Sequence, residues 1–132
     1  MKEIQVTVYD KQIYETHYDE AENRFVGNLA IKDGCVYITY KDEKDKITTV
    51  VKWKNNVVSV KRMGTVQAKL IFDVEQAHSS SYQMPYGTID MVFQTDKIDI
   101  YYLEKGVKLY IEYKIMMDNQ KISDNIYMIV AN

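Results

Sequence analysis

Several kinds of residue are scarce in this 132-residue sequence, and each scarcity excludes a class of protein. A single cysteine, Cys35, cannot form an internal disulfide, which indicates folding in a reducing compartment. A single proline, Pro85, leaves almost the whole chain free of strand breakers. No apolar run approaches the roughly 20 residues of a membrane helix, and the polar, alternating start is not a signal peptide. We therefore expect a cytoplasmic protein with no membrane contact.

An excess of charge of one sign is also missing, because 17 Lys and Arg residues oppose 19 Asp and Glu residues. This near balance argues against a polyanionic partner, so we do not expect nucleic-acid binding. The outward lysines near residues 55–56 are interpreted as protection of a sheet edge, with an acidic partner as the alternative. Hydrophobic residues make up 46% of the chain, too many for a disordered protein. The length suits one domain over residues 1–132.

The strongest pattern in the sequence is an alternation of apolar residues between Val58 and Phe72. The even positions of this stretch are apolar or glycine except for one, Arg62. A period of two predicts a single strand, bent near Gly64, with its even-numbered face buried. Arg62 is then predicted to point into the core.

Similar strand patterns run through the whole chain, without a convincing helical period, linker or repeat. The predicted strands are 2–10, 12–20, 23–32, 35–42, 46–54, 57–72, 78–84, 86–95, 97–103, 107–117 and 121–131. The pattern predicts an all-β fold, a single antiparallel meander closed into a β-barrel, because closure removes exposed edges. Gly64 and Gly87 are expected at corners of the barrel. Eight or more strands leave room inside for packed side chains or one small ligand.

Turn residues at four places predict hairpins and the register of the paired strands. The predicted turns lie at 33–34, 55–56, 104–106 and 119–120. The first sets Gly27 opposite Tyr40, where the ring can cover the bare glycine. The last pairs Ile111 with Met128.

Short motifs along the chain carry a family resemblance. They are Gly27, the strand Val36-Tyr37-Ile38-Thr39-Tyr40, Thr48-Thr49, Arg62-Met63-Gly64, Phe72, Tyr82-Gln83-Met84-Pro85-Tyr86-Gly87, Gly106 and Tyr113. In order and spacing, from about residue 24 to 130, they resemble the YwiB-like family of uncharacterised bacterial β-barrels. That family is similar in architecture to the calycins, the lipocalin-like barrels. The resemblance therefore implies a calycin-like barrel with a binding cavity, and it implies no established activity.

Arg62 needs a partner, since an unpaired buried guanidinium is costly. One interpretation is an internal ion pair or hydrogen-bond network, and the candidate partners are Thr49, Tyr40, Asp90, Asp124 and Glu15. A second is that Arg62 anchors an anionic ligand, because its planar fork fits a carboxylate or a phosphate. A third is that a bulge near Gly64 turns the side chain outward.

The predicted ligand site consists of Arg62, Tyr40, Thr49, Trp53 and Tyr113. Its aromatic members, with Phe93 and Tyr102, fall on inferred inner faces, where they form either ordinary core or the wall of a cavity. The leading hypothesis is a non-enzymatic binding barrel for a small amphipathic or anionic ligand. The alternative is a structural or protein-interaction module with a filled core. It would form a homodimer or dock a partner through an outer face of Met63, Ile71, Tyr110, Met116, Tyr127 and Ile129.

The residues do not predict catalysis or metal binding. In the segment His78-Ser79-Ser80, neighbouring side chains point to opposite faces of a strand, which does not suit a catalytic triad. His17 and His78 are far apart in sequence, so no ligand pair has metal-site spacing. The five glycines are scattered and form no phosphate-binding loop. We predict no enzyme activity, no metal and no cofactor.

Overall fold

A ten-stranded antiparallel sheet forms the protein in a computed structural model that describes residues 2–132. The strands are β1 (Lys2–Ile13), β2 (Tyr18–Lys32), β3 (Cys35–Asp42), β4 (Ile47–Lys54), β5 (Val57–Gly64), β6 (Ala68–Asp73), β7 (His78–Met84), β8 (Gly87–Leu103), β9 (Gly106–Met117) and β10 (Gln120–Ala131). Their order in the sheet is β6-β5-β4-β3-β2-β1-β10-β9-β8-β7. Neighbouring strands are consecutive in sequence except for β1 and β10. The predicted all-β antiparallel meander is therefore confirmed.

The two ends of the sheet, β6 and β7, meet and nearly close it into a barrel. Gln67 and Gln83 exchange two backbone hydrogen bonds of 2.9 and 2.8 Å at this seam. The Ser80 hydroxyl donates to the Lys69 carbonyl oxygen over 2.7 Å. The seam thus satisfies part of the hydrogen-bonding capacity that two free edges would present to other chains.

The stretch from residue 57 to residue 72 is a hairpin, and the prediction of one bent strand is wrong. β5 pairs with β6, so that Val58 lies opposite Phe72 and Arg62 lies opposite Ala68. Even positions pair with even positions across this connection, so the alternation continues through the turn unbroken. Gly64 stands at the turn with a φ of 126°, where an added Cβ would lie 2.1 Å from the Lys46 carbonyl oxygen. The predicted burial of the even face is confirmed for Val58, Val60, Ala68, Leu70 and Phe72, whereas Arg62 and Val66 are partly exposed and Gly64 is exposed at the turn.

Two other sets of predicted strand boundaries and the expected position of Gly87 also change. A turn at 14–17 separates β1 from β2, so the predicted strands 12–20 and 23–32 do not exist as such. The predicted strands 86–95 and 97–103 form one strand, β8, which continues through an irregularity between Thr95 and Lys97. Gly87 lies opposite Met84 at a tight turn, and not at a corner of the barrel.

The turns at 33–34 and 55–56 have the predicted register. Both residues of each turn have positive φ, with 51° and 60° at Asn55 and Asn56, which is the geometry that matches the twist of paired strands. Gly27 lies opposite Tyr40, and a Cβ added there would lie 2.4 Å from the Thr39 carbonyl oxygen. The register predicted at 104–106 is also confirmed, since Ile100 lies opposite Leu109.

The predicted turn at 119–120 is wrong by one residue. The turn residues are Asp118 and Asn119, and the ladder shifts again between Lys121 and Ser123. Ile111 therefore faces Tyr127 instead of Met128. The odd-numbered side chains of β10 enter the core, so Tyr127 and Ile129 are buried and do not belong to an outer face.

The inward side chains fill the barrel with an apolar core. Its fully buried members include Val6, Ile38, Val51, Val58, Val60, Leu109, Ile111 and Ile129. Phe72, Phe93 and Tyr113 pack on one another, and the Phe72 and Tyr113 ring centroids are 4.7 Å apart in an edge-on arrangement. Towards the end of the barrel that carries the turns at 43–46, 65–67 and 85–86, this core gives way to polar side chains.

Candidate functional site

Three polar side chains from distant strands enter the barrel together at this end. Asp10 of β1, Arg62 of β5 and Tyr82 of β7 line the same two cavities. Asp10 follows Val6 and Val8 on the inward face of its strand, as Arg62 follows Val58 and Val60 on its own. The period of two that buries the apolar residues also carries both charges inside. We call these three residues, with Tyr40, Thr49, Tyr113 and Tyr127, the polar layer.

Arg62 is mostly buried and is bound by a neutral partner. Its Nη1 donates to the Tyr82 hydroxyl oxygen over 2.6 Å, the one side-chain hydrogen bond that Arg62 makes within residues 2–132. No carboxylate in this range lies within 4.0 Å of the guanidinium. Burial disfavours the charge, but the negative charges that Tyr82, Tyr127 and Tyr40 carry once they are ionised, together with the Tyr82 hydrogen bond, outweigh that effect and raise the pKa of Arg62. The guanidinium is therefore a cation with unused donors.

Asp10 faces the same space from the other side of the barrel. Its carboxylate makes no ion pair with Arg62, although the Arg62 charge is close enough to act on it. Burial raises the pKa of Asp10 above its ordinary value, and the attraction of Arg62 offsets only part of that rise. The two opposite charges thus influence each other without touching.

The larger of the two cavities has a volume of about 230 Å³. Its polar members are Asp10, Gln12, Arg62, Tyr82, Tyr113 and Tyr127. Its apolar wall is formed by Leu70, Ile89, Met91, Phe93 and Ile115. Ile89 is 38% exposed, so the wall of this large cavity reaches the surface and a ligand has a route inward.

The smaller cavity, of about 140 Å³, shares Asp10, Arg62 and Tyr82 with the first. Tyr40 and Thr49 line it, and Thr49 is the direct cross-strand neighbour of Arg62. Phe25 stacks on Tyr40 with 4.7 Å between ring centroids, which fixes the Tyr40 ring in place. Arg62 therefore lines both of these cavities, and it also borders a third at the β6–β7 seam, between Gln67 and Gln83.

Tyr127 brings an unpartnered polar group to the large cavity. Its hydroxyl oxygen is buried and meets no partner at full hydrogen-bonding geometry within the described chain, although the Tyr40 hydroxyl lies close enough to interact with it. Burial, and secondarily the nearby Tyr40, raise the pKa of Tyr127 well above its ordinary value, and burial likewise raises the pKa of Tyr113. Both phenols are thus neutral hydrogen-bond donors at physiological pH.

A protein-family model described as "Domain of unknown function (DUF1934)" matches residues 4–129. This chain belongs to the DUF1934 family. A curated relative, the "Uncharacterized beta-barrel protein YwiB" of Bacillus subtilis (strain 168), is 25% identical over 124 residues, which are 91% of this chain and 87% of that protein. The crystal structure of the ywiB protein from Bacillus subtilis superposes with a TM-score of 0.82 at 20% identity, over 98% of this chain and 92% of that one. The predicted resemblance is confirmed, and the likeness to the crystal structure shows the fold.

All seven residues of the polar layer lie within residues 4–129, the segment that matches the family model. Four of the five predicted site residues meet in this layer, namely Arg62, Tyr40, Thr49 and Tyr113. The fifth, Trp53, lines neither cavity, because it lies nearer the opposite end of β4, between Val36 and Val58.

Other predictions about Arg62 and the aromatic residues change with the structure. Arg62 keeps regular pairing with Thr49 and Ala68, so no bulge turns it outward. The carboxylates predicted as partners lie elsewhere: Asp90 accepts from Ser81, Asp124 accepts from Lys121, and Glu15 is exposed in a turn. Tyr102 is 61% exposed at the opposite end of the barrel, although it was expected inside.

Sequence reasoning missed Asp10, Tyr82 and Tyr127. Asp10 carried a usable signal, because it continues the alternation of Ile4, Val6 and Val8. Tyr127 required the register of β10, whose inward face is reversed by the ladder shift between Lys121 and Ser123. The approach of Tyr82 to Arg62 depends on closure of the β6–β7 seam, which no local pattern announces.

The histidine segment is arranged differently. The His78 Nε2 lies 3.2 Å from Asp73 Oδ2, and this contact holds the pKa of the Asp73 carboxyl below its usual value. Ser80 lies two residues further along β7 and donates to a backbone oxygen of β6. Across residues 2–132, no group of three His, Cys, Asp or Glu side chains is placed to hold a metal ion. The same residues contain no helix that is long and apolar enough to cross a membrane.

Proposed function

We propose that this DUF1934 protein is a non-enzymatic binding barrel, which holds a small amphipathic or anionic molecule in the large cavity with its head at Arg62. The observation that carries the proposal is a mostly buried cation whose one hydrogen-bond partner in residues 2–132 is a neutral tyrosine. A buried guanidinium without a counter-charge in contact is costly. An anionic head would supply both the charge and the missing acceptors.

The shape of the large cavity supports a ligand with two ends of different polarity. Arg62 and the tyrosine hydroxyls occupy one side, while Leu70, Phe93 and Ile115 form an apolar wall. Its volume of about 230 Å³ lies below the roughly 300–1,000 Å³ of pockets for drug-sized molecules. The proposed ligand is accordingly small. One buried, free cysteine, Cys35, fits a reducing environment, and we propose a cytoplasmic location.

The test is native mass spectrometry of the protein purified gently from its own host. A discrete added mass on the folded species supports the proposal and identifies the ligand. The Arg62→Gln variant should lose that mass. Arg24→Gln is the matched control, because Arg24 is an exposed arginine that forms only a surface pair with Glu22. A clean ligand-free mass for the wild-type protein would overturn the tight-ligand proposal.

The alternative is a structural or protein-interaction module that acts through homodimerisation or partner docking. It depended on an outer apolar face, and two of the six residues assigned to that face, Tyr127 and Ile129, are buried in the core. Met63 is 37% exposed, and Ile71, Tyr110 and Met116 are only partly exposed. The reduced face gives the alternative less support than the cavity gives to ligand binding.

A further inference from the structure

Asp10 and Arg62 share both cavities and yet do not pair with each other. The Asp10 side chain makes no hydrogen bond within residues 2–132, and Arg62 makes only the one to Tyr82. Two opposite charges in one partly buried space normally gain by contact, because each is short of partners away from water.

The sheet explains why these two charges stay apart. Asp10 is held by its ladder neighbours Tyr127 and Ala21, and Arg62 by Thr49 and Ala68. Three strands lie between β1 and β5 in the sheet, so the two side chains approach across the interior of the barrel. Regular pairing on both sides of each strand fixes the backbone positions, and the space between the side chains is the cavity itself.

We propose that the ligand's head bridges these charges, with a carboxylate on Arg62 and a neighbouring hydrogen-bond donor on Asp10. This deepens the proposed function and rests on it. The matching chemical class is a small 2-amino or 2-hydroxy carboxylic acid with a short apolar chain. A plain carboxylate would leave Asp10 without a partner and would be repelled by it. A plain amine would leave Arg62 without one.

The remaining polar groups suit the same head. The buried Tyr127 hydroxyl belongs to a residue that lines the large cavity and neighbours Asp10 in the ladder, and the Tyr82 hydroxyl keeps its own hydrogen after accepting from Arg62. Both can donate to carboxylate oxygens that Arg62 does not reach. The apolar chain would lie on Leu70, Met91 and Phe93, which form the opposite wall.

Four compounds with the same branched chain test the inference by isothermal titration calorimetry. They are L-leucine, 2-hydroxy-4-methylpentanoate, 4-methylpentanoate, which lacks the second donor, and 3-methylbutylamine, which lacks the carboxylate. We expect the amino or the hydroxy acid to bind about tenfold or more tightly than 4-methylpentanoate, as a hydrogen bond to a charged group implies. The comparison of L-leucine with the hydroxy acid shows which donor Asp10 takes.

Two variants test whether Asp10 and Arg62 cause the expected differences in affinity. Asp10→Asn should reduce the advantage of the amino or hydroxy acid while 4-methylpentanoate still binds, and Arg62→Gln should weaken all three acids. The controls Asp19→Asn and Arg24→Gln change exposed residues outside both cavities and should bind as the wild type does.

Two results would overturn the inference. If 4-methylpentanoate binds wild-type protein as tightly as the amino and hydroxy acids do, the bridge to Asp10 is wrong while the anionic site at Arg62 stands. If none of the three acids binds, the chemical class is wrong, and the native mass spectrum decides separately whether the barrel holds a ligand. Both results come from wild-type protein, so they do not depend on how well a variant folds.

Discussion

The Arg62 guanidinium and the Tyr82 hydroxyl are joined by a hydrogen bond of 2.6 Å that crosses the seam of the barrel. Arg62 lies on β5 and Tyr82 on β7, while the seam between β6 and β7 has one isolated backbone bridge in the described chain, between Gln67 and Gln83. One side-chain contact therefore links the polar layer to the closure of the sheet.

Replacing Tyr82 by phenylalanine tests this link. We expect Tyr82→Phe to lower the free energy of unfolding by about 1.5–3 kcal/mol, because it removes a hydrogen bond to a charged group and leaves that group partly buried. Urea denaturation measures the change. Tyr86→Phe is the matched control, since Tyr86 is 84% exposed and its hydroxyl contacts only the Met84 sulfur. Equal stability of the two variants would contradict the role assigned to the contact.

The electrostatic coupling of Asp10 and Arg62 predicts a change in a pKa. The Arg62 charge favours the ionised form of Asp10, so Arg62→Met should raise the pKa of Asp10 further above its ordinary value. Carboxyl-carbon NMR titration of wild type and variant measures both values. In Arg24→Met the pKa of Asp10 should stay where it is in the wild type. An unchanged value in Arg62→Met would show that the two groups do not interact.

The raised pKa of Asp10 also predicts how stability depends on pH. Between its ordinary value of 3.8 and its raised value in the fold, the folded protein binds more protons than the unfolded chain. The contribution of Asp10 to stability is therefore fully present below pH 3.8 and is lost as the pH rises through the raised value.

Asp10→Asn should remove this pH-dependent loss of stability, because asparagine does not ionise. As the pH rises from 3.8, the unfolding free energy of the variant should therefore increase relative to that of the wild type. Urea titrations at a series of pH values measure it, with Asp19→Asn as the control. A constant difference across this range would mean that the fold does not perturb Asp10.

Gly27 provides a test of the packing beneath the polar layer. An alanine Cβ at this position would lie 2.4 Å from the Thr39 carbonyl oxygen, and a backbone atom in a paired strand cannot move away easily. We expect Gly27→Ala to cost about 1–3 kcal/mol of stability, as overpacking does. Thermal or urea unfolding measures it. At Gly34 an added Cβ meets nothing within 4 Å, and asparagine tolerates a positive φ, so Gly34→Asn should be nearly neutral.

The sequence predicted the pairing of strands well where a two-residue turn joins them, and poorly where the pairing depends on a shift within the ladder. Asn55-Asn56 and Asp33-Gly34 determine which residues face each other, because a two-residue turn leaves no freedom in the pairing. The β5–β6 hairpin was not predicted, because even-numbered residues pair with even-numbered residues across its turn. The alternation of apolar residues therefore looks the same as in a single strand. The β10 register failed for the opposite reason, because the ladder shifts between Lys121 and Ser123 and reverses which face is inside.

The candidate site shows the same division. Arg62 was found because it interrupts an apolar alternation, and Asp10 could have been found by the same reasoning. That they enter one cavity depends on how far the sheet curls, which is set by contacts between strands distant in sequence. Trp53 was assigned to the site because alternation places its side chain on the inner face of the sheet. Alternation predicts which face a side chain lies on, but not how far along the barrel axis it lies.

The pairing of β1 with β10 has a consequence for how the protein folds. Residue 6 pairs with residue 131 there, whereas every other ladder joins strands that follow one another in the chain. Hairpins close short loops, while the β1–β10 junction must bring together segments from opposite ends of the domain at a greater entropic cost. We expect this junction to form late, and it is where Asp10 and Tyr127 become neighbours. A partly folded chain would thus contain most of the sheet but not the complete cavity. Only the fully folded barrel would then bind a ligand.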